Sequence, residues 1–428
     1  TIGNIPRINA NDVIRIGRKR SCDACKAALT TFAPRSTCSL ANSNTMLKSK
    51  YIIYLLLLCL TGCVSEFNAQ LPTSDEELLV VTGDIIANTE VVFSLSKSVP
   101  LSEEFPENYR DIEAKIIVTG SDGYQSNPGK ALGEGKYQIS IGELQNNVSY
   151  GVEIEYNGEI YISSPSEPME TPEIDSVSWI QPVKEQPLTI RVSTHGDPGK
   201  TQYYMWNYKE DWEIRANYMT TCYFDPETNR IYEDSSYPTF YCWKKELSRN
   251  ILISSTQSLK ENRIINNKLF EAPVKGDRFT VLYSVLVQQR TLSKAGYEYY
   301  LNVQQQNEDM GGIFTPQPSE VQGNLSCTTQ PERRAIGYVG VYKNIVEKRI
   351  YIRPNDIERP PRYTDCEELT DDDLNEMGYN TYLTRYLAGY RPVGTGTHID
   401  NWTLQRCTEC EYNGGNKNKP SFWPNDHQ

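Results

Sequence analysis

The chain has 428 residues, with 43 Lys and Arg against 55 Asp and Glu, a formal net charge of −12. The charge is uneven: residues 1–62 hold 9 of the basic and 2 of the acidic residues, leaving 34 and 53 beyond them, a net −19. That balance excludes a nucleic-acid binder, which needs a basic stripe to displace phosphate counterions, and the length after residue 62 suits two domains of ordinary size.

Residues 1–45 are expected to be an over-extended leader, because Met46 is a natural start for the secretory signal that follows it. Cys22, Cys25 and Cys38 lie in that stretch without a fourth ligand, so they do not read as a metal site. Residues 46–62 read as a signal peptide: Lys48 and Lys50 form a positive head, and Tyr51 to Leu60 is an unbroken apolar run. Spanning a hydrocarbon layer of roughly 30 Å takes about 20 helical residues, so this run is too short to cross. Its ending, Leu60-Thr61-Gly62-Cys63, resembles a bacterial lipobox, in which the Cys is acylated and becomes the new N-terminus. Cys63 is therefore the expected lipidation site, anchored in outer-membrane lipid by acyl chains rather than by a transmembrane helix. By resemblance to bacterial lipoproteins, the absence of an Asp directly after Cys63 implies the outer membrane, and exposure on the cell surface is expected.

Residues 63–77 are polar and aperiodic, as a tether would be. From 78 to 172 the pattern is short strands: 78–85, 91–98, 114–120, 136–141, 148–156 and 159–162. Asn157-Gly158 between the last two is a strong hairpin signal. This spacing predicts an immunoglobulin-like β-sandwich, closed off by Pro165, Pro168 and Pro172. Residues 173–428 are expected to form a larger β-rich domain with a few helices, so the fold class is mainly β. Phe279 to Gln289 is apolar on both faces, the mark of a central strand. Ser293 is placed to cap a helix that Gly311-Gly312 would stop, and Gly337 to Ile352 reads as a hairpin. Thr370 caps a second helix whose three Asp residues sit at the positive end of its dipole.

Six Cys follow Cys63, and an even number in an exported chain suggests disulfides. Cys222 and Cys242 flank a turn-like segment and are candidates for a staple. Cys366 with Cys407 or Cys410 is a second candidate pair, which leaves Cys327 without an assigned partner. A zinc site from Cys366, His398, Cys407 and Cys410 is the alternative, but thiolate zinc is unusual in an oxidising envelope, so no metal is expected. His195 lies in Thr-His-Gly-Asp-Pro-Gly and reads as a solvated turn residue. No Gly-x-Ser-x-Gly, His-Glu-x-x-His or phosphate loop occurs, so no catalytic residue or cofactor is assigned and a non-enzymatic role is expected. The most distinctive patch is the stretch 203–212, in which Tyr204, Trp206, Tyr208 and Trp212 could form a ligand-binding platform or pack as core.

Several stretches together resemble a known family: 78–85 (LLVVTGDI), 174–179 (IDSVSW), 204–213 (YMWNYKEDWE), Gly323-Asn324 before Ile336-Gly337-Tyr338, and Cys407-Thr-Glu-Cys410 with Lys419 to Pro424. The family is one of Bacteroidota outer-membrane lipoproteins, carrying the domain of unknown function four-two-four-nine. The resemblance implies a TonB-dependent transporter as partner, and an accessory or ligand-capture role at that pore. An envelope glycan hydrolase and a structural or adhesive surface lipoprotein are the alternative expectations.

Overall fold

The computed structural model describes residues 77–99, 109–200, 202–236, 238–308, 323–361 and 364–425. The expectations for the leader, the signal peptide, Cys63, nearly all of the tether and the Gly311-Gly312 stop lie outside these residues.

The first eight strands are β1 (Leu79–Thr82), β2 (Ile85–Ile86), β3 (Glu90–Lys97), β4 (Ala114–Gly120), β5 (Lys130–Gly133), β6 (Lys136–Ser140), β7 (Tyr150–Tyr156) and β8 (Glu159–Ser163). They are followed by β9 (Ile174–Ile180), β10 (Leu188–His195), β11 (Tyr203–Arg215), β12 (Cys222–Asp225), β13 (Arg230–Glu233), β14 (Tyr241–Leu247), β15 (Leu252–Ser255), β16 (Arg263–Ala272), β17 (Tyr283–Thr291) and helix α1 (Lys294–Glu308). The remainder is β18 (Leu325–Cys327), β19 (Ala335–Ile336), β20 (Val341–Tyr342), β21 (Val346–Ile352), α2 (Asp371–Glu376), α3 (Tyr382–Leu387), β22 (Tyr390–Thr395), β23 (His398–Leu404) and α4 (Gln405–Thr408). The fold is mainly β, as its composition of alternating short runs predicts.

The N-terminal sandwich has two sheets, in the orders β19-β1-β3-β6-β5 and β18-β8-β7-β4. Alternation does the work: Val91, Phe93 and Leu95 of β3 point inward, as do Ile116 and Val118 of β4, and Val152 and Ile154 of β7. The β7–β8 connection is a two-residue turn with Asn157 at φ 52° and Gly158 at φ 77°, pairing Tyr156 with Glu159. Positive φ at both residues is what the strand twist requires there. Three of the sandwich's edge pieces come from far downstream. β18 pairs with β8, while β19 and β20 lie parallel to β1 and β2.

The second region stacks a sheet of order β16-β10-β9 against one of order β14-β11-β17-β21. β17 is central, lying between β11 and β21, and Tyr283, Val285 and Val287 are fully buried on it. The expected hairpin at 337–352 is not formed. Val339 and Val341 are buried with the sandwich, whereas Val346 and Ile352 are buried in the second core. The segment is therefore a crossover between two cores, clamped where Asn344 bonds both backbone groups of Thr171. Both helix caps form as expected. The Ser293 hydroxyl accepts from the Gly296 amide at 3.0 Å, and Thr370 caps α2 in a reciprocal capping box with Asp373.

The disulfides are Cys242–Cys410 and Cys366–Cys407, each with Cα atoms 5.7 Å apart. The expected Cys222–Cys242 staple is corrected. β12, which begins at Cys222, pairs with β13, while β14, which carries Cys242, pairs with β11, so the two thiols belong to different ladders. Cys222 and Cys327 are buried free thiols, and burial pushes the Cys222 thiol up. The zinc alternative fails for the same reason, since Cys366, Cys407 and Cys410 are all consumed in disulfides and His398 stands exposed beside Asp400.

Candidate functional site

Strand alternation decides which face of β11 reaches the surface. Tyr204 and Trp206 are fully buried, their rings stacked with centroids 5.9 Å apart. The Trp206 indole N–H donates to Gln289 Oε1 at 2.8 Å. Tyr208 stacks on Phe270 at 3.7 Å, and Trp212 donates to Asp277 with the Arg278 guanidinium 4.6 Å from its ring. The four aromatics therefore belong to the core, which overturns their reading as an open platform. The reason is topological: β11 pairs on both sides, with β14 and β15 at one edge and β17 at the other, and the β16-β10-β9 sheet covers Tyr204 and Trp206. Asn207, between two of them, must project the opposite way.

Asn207 lines a cleft of about 450 Å³ formed where β1 to β3, the end of β17, α1 and Gly337-Tyr338 converge. Its floor is an ion pair. Arg290 follows Gln289 on β17, and while Gln289 turns inward to Trp206, Pro172 and Thr194, Arg290 turns to the sandwich and pairs with Asp84. Asp84 Oδ1 also accepts the Gly340 amide at 3.0 Å. Burial raises the Asp84 carboxyl above the ordinary carboxylate range, against the pull of Arg290 and the Gly340 amide.

One wall is aromatic. Tyr299 and Tyr300 sit on α1, with Tyr338 beside them, and the centroid distances are 5.1, 5.6 and 6.2 Å. The Ser293 hydroxyl that caps α1 also hydrogen-bonds the Tyr338 hydroxyl at 2.6 Å, so one residue fixes both the helix start and the wall. Backbone closeness is obligatory here: a Cβ on Gly337, at φ +144°, would stand 2.1 Å from the Val81 carbonyl. Burial raises the phenols of Tyr299 and Tyr300, Tyr300 with further help from the Asp84 charge, so both stay neutral hydrogen-bonding groups in the physiological range. The approach of Asp84, Arg290 and Tyr338 across more than 250 residues of chain leaves no spacing signal. Tyr300 is legible as a helix-face residue, and Asn207 by period-two alternation within the aromatic run.

A second, more open cavity of about 530 Å³ lies where β9 begins and β10 ends. Its rim holds His195, which is exposed at the end of β10 rather than within the turn, with Nδ1 2.6 Å from Asp175 Oδ1. Lys260, Glu261 and Arg263 complete a largely charged lining without Tyr, Trp or Phe.

Strand β11 also buries three carboxylates, Glu210, Asp211 and Glu213. Glu210 bonds Arg278 and the Tyr283 hydroxyl, Asp211 bonds Arg349, and Glu213 bonds Arg215 and the Trp423 indole. None of the three lines either cavity.

A sequence profile of the family described as "Domain of unknown function (DUF4249)" matches residues 64–348, well over half of the chain. It takes in the sandwich, most of the second core and every residue of the cleft, ending within β21 and before the segment that carries Cys366, Cys407 and Cys410. No curated protein matches the chain.

Proposed function

We propose, from the premise that the chain belongs to the DUF4249 family, that it is a non-catalytic ligand-capture protein serving a TonB-dependent transporter. It would be tethered to the outer membrane through acylated Cys63. The observation that carries ligand capture is the cleft, where polar groups converge between a tyrosine wall and a buried ion pair. Concave sites with aromatic walls and a few fixed polar groups are the usual form of small-molecule sites. Among the described residues its lining has no His, Cys or Ser, and its one buried acid is committed to Arg290. Such a lining supports binding better than acid–base or nucleophilic chemistry. The anchorage is supported by Leu60-Thr61-Gly62-Cys63, and the transporter by the family resemblance of the motifs quoted above.

Extraction of outer membranes in mild detergent tests the partnership, with a TonB-dependent transporter expected to co-purify with the protein. Recovery of the protein alone would count against it. Mass spectrometry of the membrane-extracted chain tests the anchor, the expected N-terminus being a lipid-bearing Cys63.

A further inference from the structure

Resting on the ligand-capture reading, we infer that the cleft at Asp84, Arg290 and the three tyrosines takes a neutral, hydroxyl-rich ligand, a saccharide. Charge is the first ground. The charged lining residues are Asp84, Glu90 and Arg290, and the first and last neutralise each other. Glu90 is tied to the Gln138 amide. An anion entering the cleft meets two carboxylates for one guanidinium, and a cation meets Arg290 on the floor. A neutral ligand meets neither penalty.

The second ground is the mixture of unfilled hydrogen-bonding groups. Arg290 has Asp84 as its side-chain partner among the described residues, and a guanidinium carries five N–H donors. Neither the Asn207 amide nor the Tyr299 and Tyr300 hydroxyls has a hydrogen-bond partner among the described residues, although all three residues line the cleft. Filling donors and acceptors at once calls for a ligand whose groups are both, which is the property of a hydroxyl. A purely apolar ligand would strip water from these groups and leave them unmade. The third ground is shape: sugars carry apolar C–H faces that pack on rings, and the Tyr299, Tyr300 and Tyr338 rings provide them. The open cavity at His195 has no Tyr, Trp or Phe in its lining and carries Asp175, Lys260, Glu261 and Arg263, so the same argument does not extend to it.

Calorimetric titration of the purified protein with maltose, cellobiose, xylobiose and mannobiose tests the assignment, with an oligouronate and a peptide mixture titrated in parallel. The expected result is binding of a neutral disaccharide that weakens about tenfold in Tyr299→Ala and in Asn207→Ala. Tyr299→Phe serves where the alanine variant does not fold, since it removes the hydroxyl and keeps the ring. Binding confined to the uronate or to peptides, and weakened by the same variants, would overturn the saccharide and leave ligand capture standing. Absence of any titration sensitive to these variants would overturn both.

Discussion

The two cores of this chain are held by different means. In the sandwich, the buried set is almost wholly apolar, with Glu159 and Ser163 the few polar exceptions. In the second region a single strand, β11, buries Glu210, Asp211 and Glu213 within four residues. Those carboxylates need Arg278, Arg349, Arg215 and the Trp423 indole, which reach them from the 277–282 connection, β21, β11 itself and the C-terminal segment. Both disulfides involve Cys from this region as well. Apolar burial is non-directional and forgiving of detail, whereas a buried charge is stable only if its partner arrives. The sandwich can therefore be assembled from a pattern, while the second core needs the distant ends of the chain brought to specific atoms. The cleft forms where the two meet, and its ion pair, Asp84 with Arg290, joins one region to the other.

The sharpest way to break the contrast is to cut the covalent closure. Cys242→Ser with Cys410→Ser opens a loop of 168 residues, expected to cost about 5 kcal/mol in the chain-entropy model. The loss should appear as a lower urea midpoint, with hydrogen exchange quickened in β11 and β14 and little changed in β3 and β7. Equal loosening of both regions would refute the distinction. Phe93, with no exposure at the centre of β3, offers the converse test: Phe93→Ala should cost about 4 kcal/mol through the cavity it leaves, with or without reductant. Next in size, Arg290→Ala strands the Asp84 carboxylate and should cost about 3 kcal/mol. It should also loosen sandwich and sheet together, read by exchange at Asp84 and Gln289. The smallest effect is in pH. Burial raises the Glu210 carboxyl above its ordinary value, against the pull of Arg278. As pH rises through the ordinary Glu range, the unfolded chain ionises first, so this residue's contribution declines until the raised value is passed and then levels. Glu210→Gln should flatten that decline in urea midpoints measured across the acid range.

Most strands of the sandwich within 78–172 were legible because each reports locally, whereas β18, β19 and β20 were not. Val91, Phe93 and Leu95 announce a buried face by alternation alone, and Asn157-Gly158 announces a turn by the positive φ it tolerates. Helix starts were legible for the same reason, since Ser293 and Thr370 act on amides three residues away. The aromatic run misled because a local pattern counts faces without saying whether one is covered. Tyr204 and Trp206 look alike on an open sheet and under a second one. The pairing of Cys242 with Cys410 and the meeting of Asp84 with Arg290 had no local signature at all.

By itself, then, the amino-acid order determined the β class, most sandwich strands within 78–172, the Asn157-Gly158 turn and the helix caps, since these depend on interactions spanning a few residues. Tertiary structure alone decided which thiols join, which rings are hidden, and that the 337–352 segment is a crossover. It also decided that a cleft opens beside Asn207. Each of these depends on groups from remote parts of the chain competing for the same partner or the same space, and the winner is settled by packing in three dimensions.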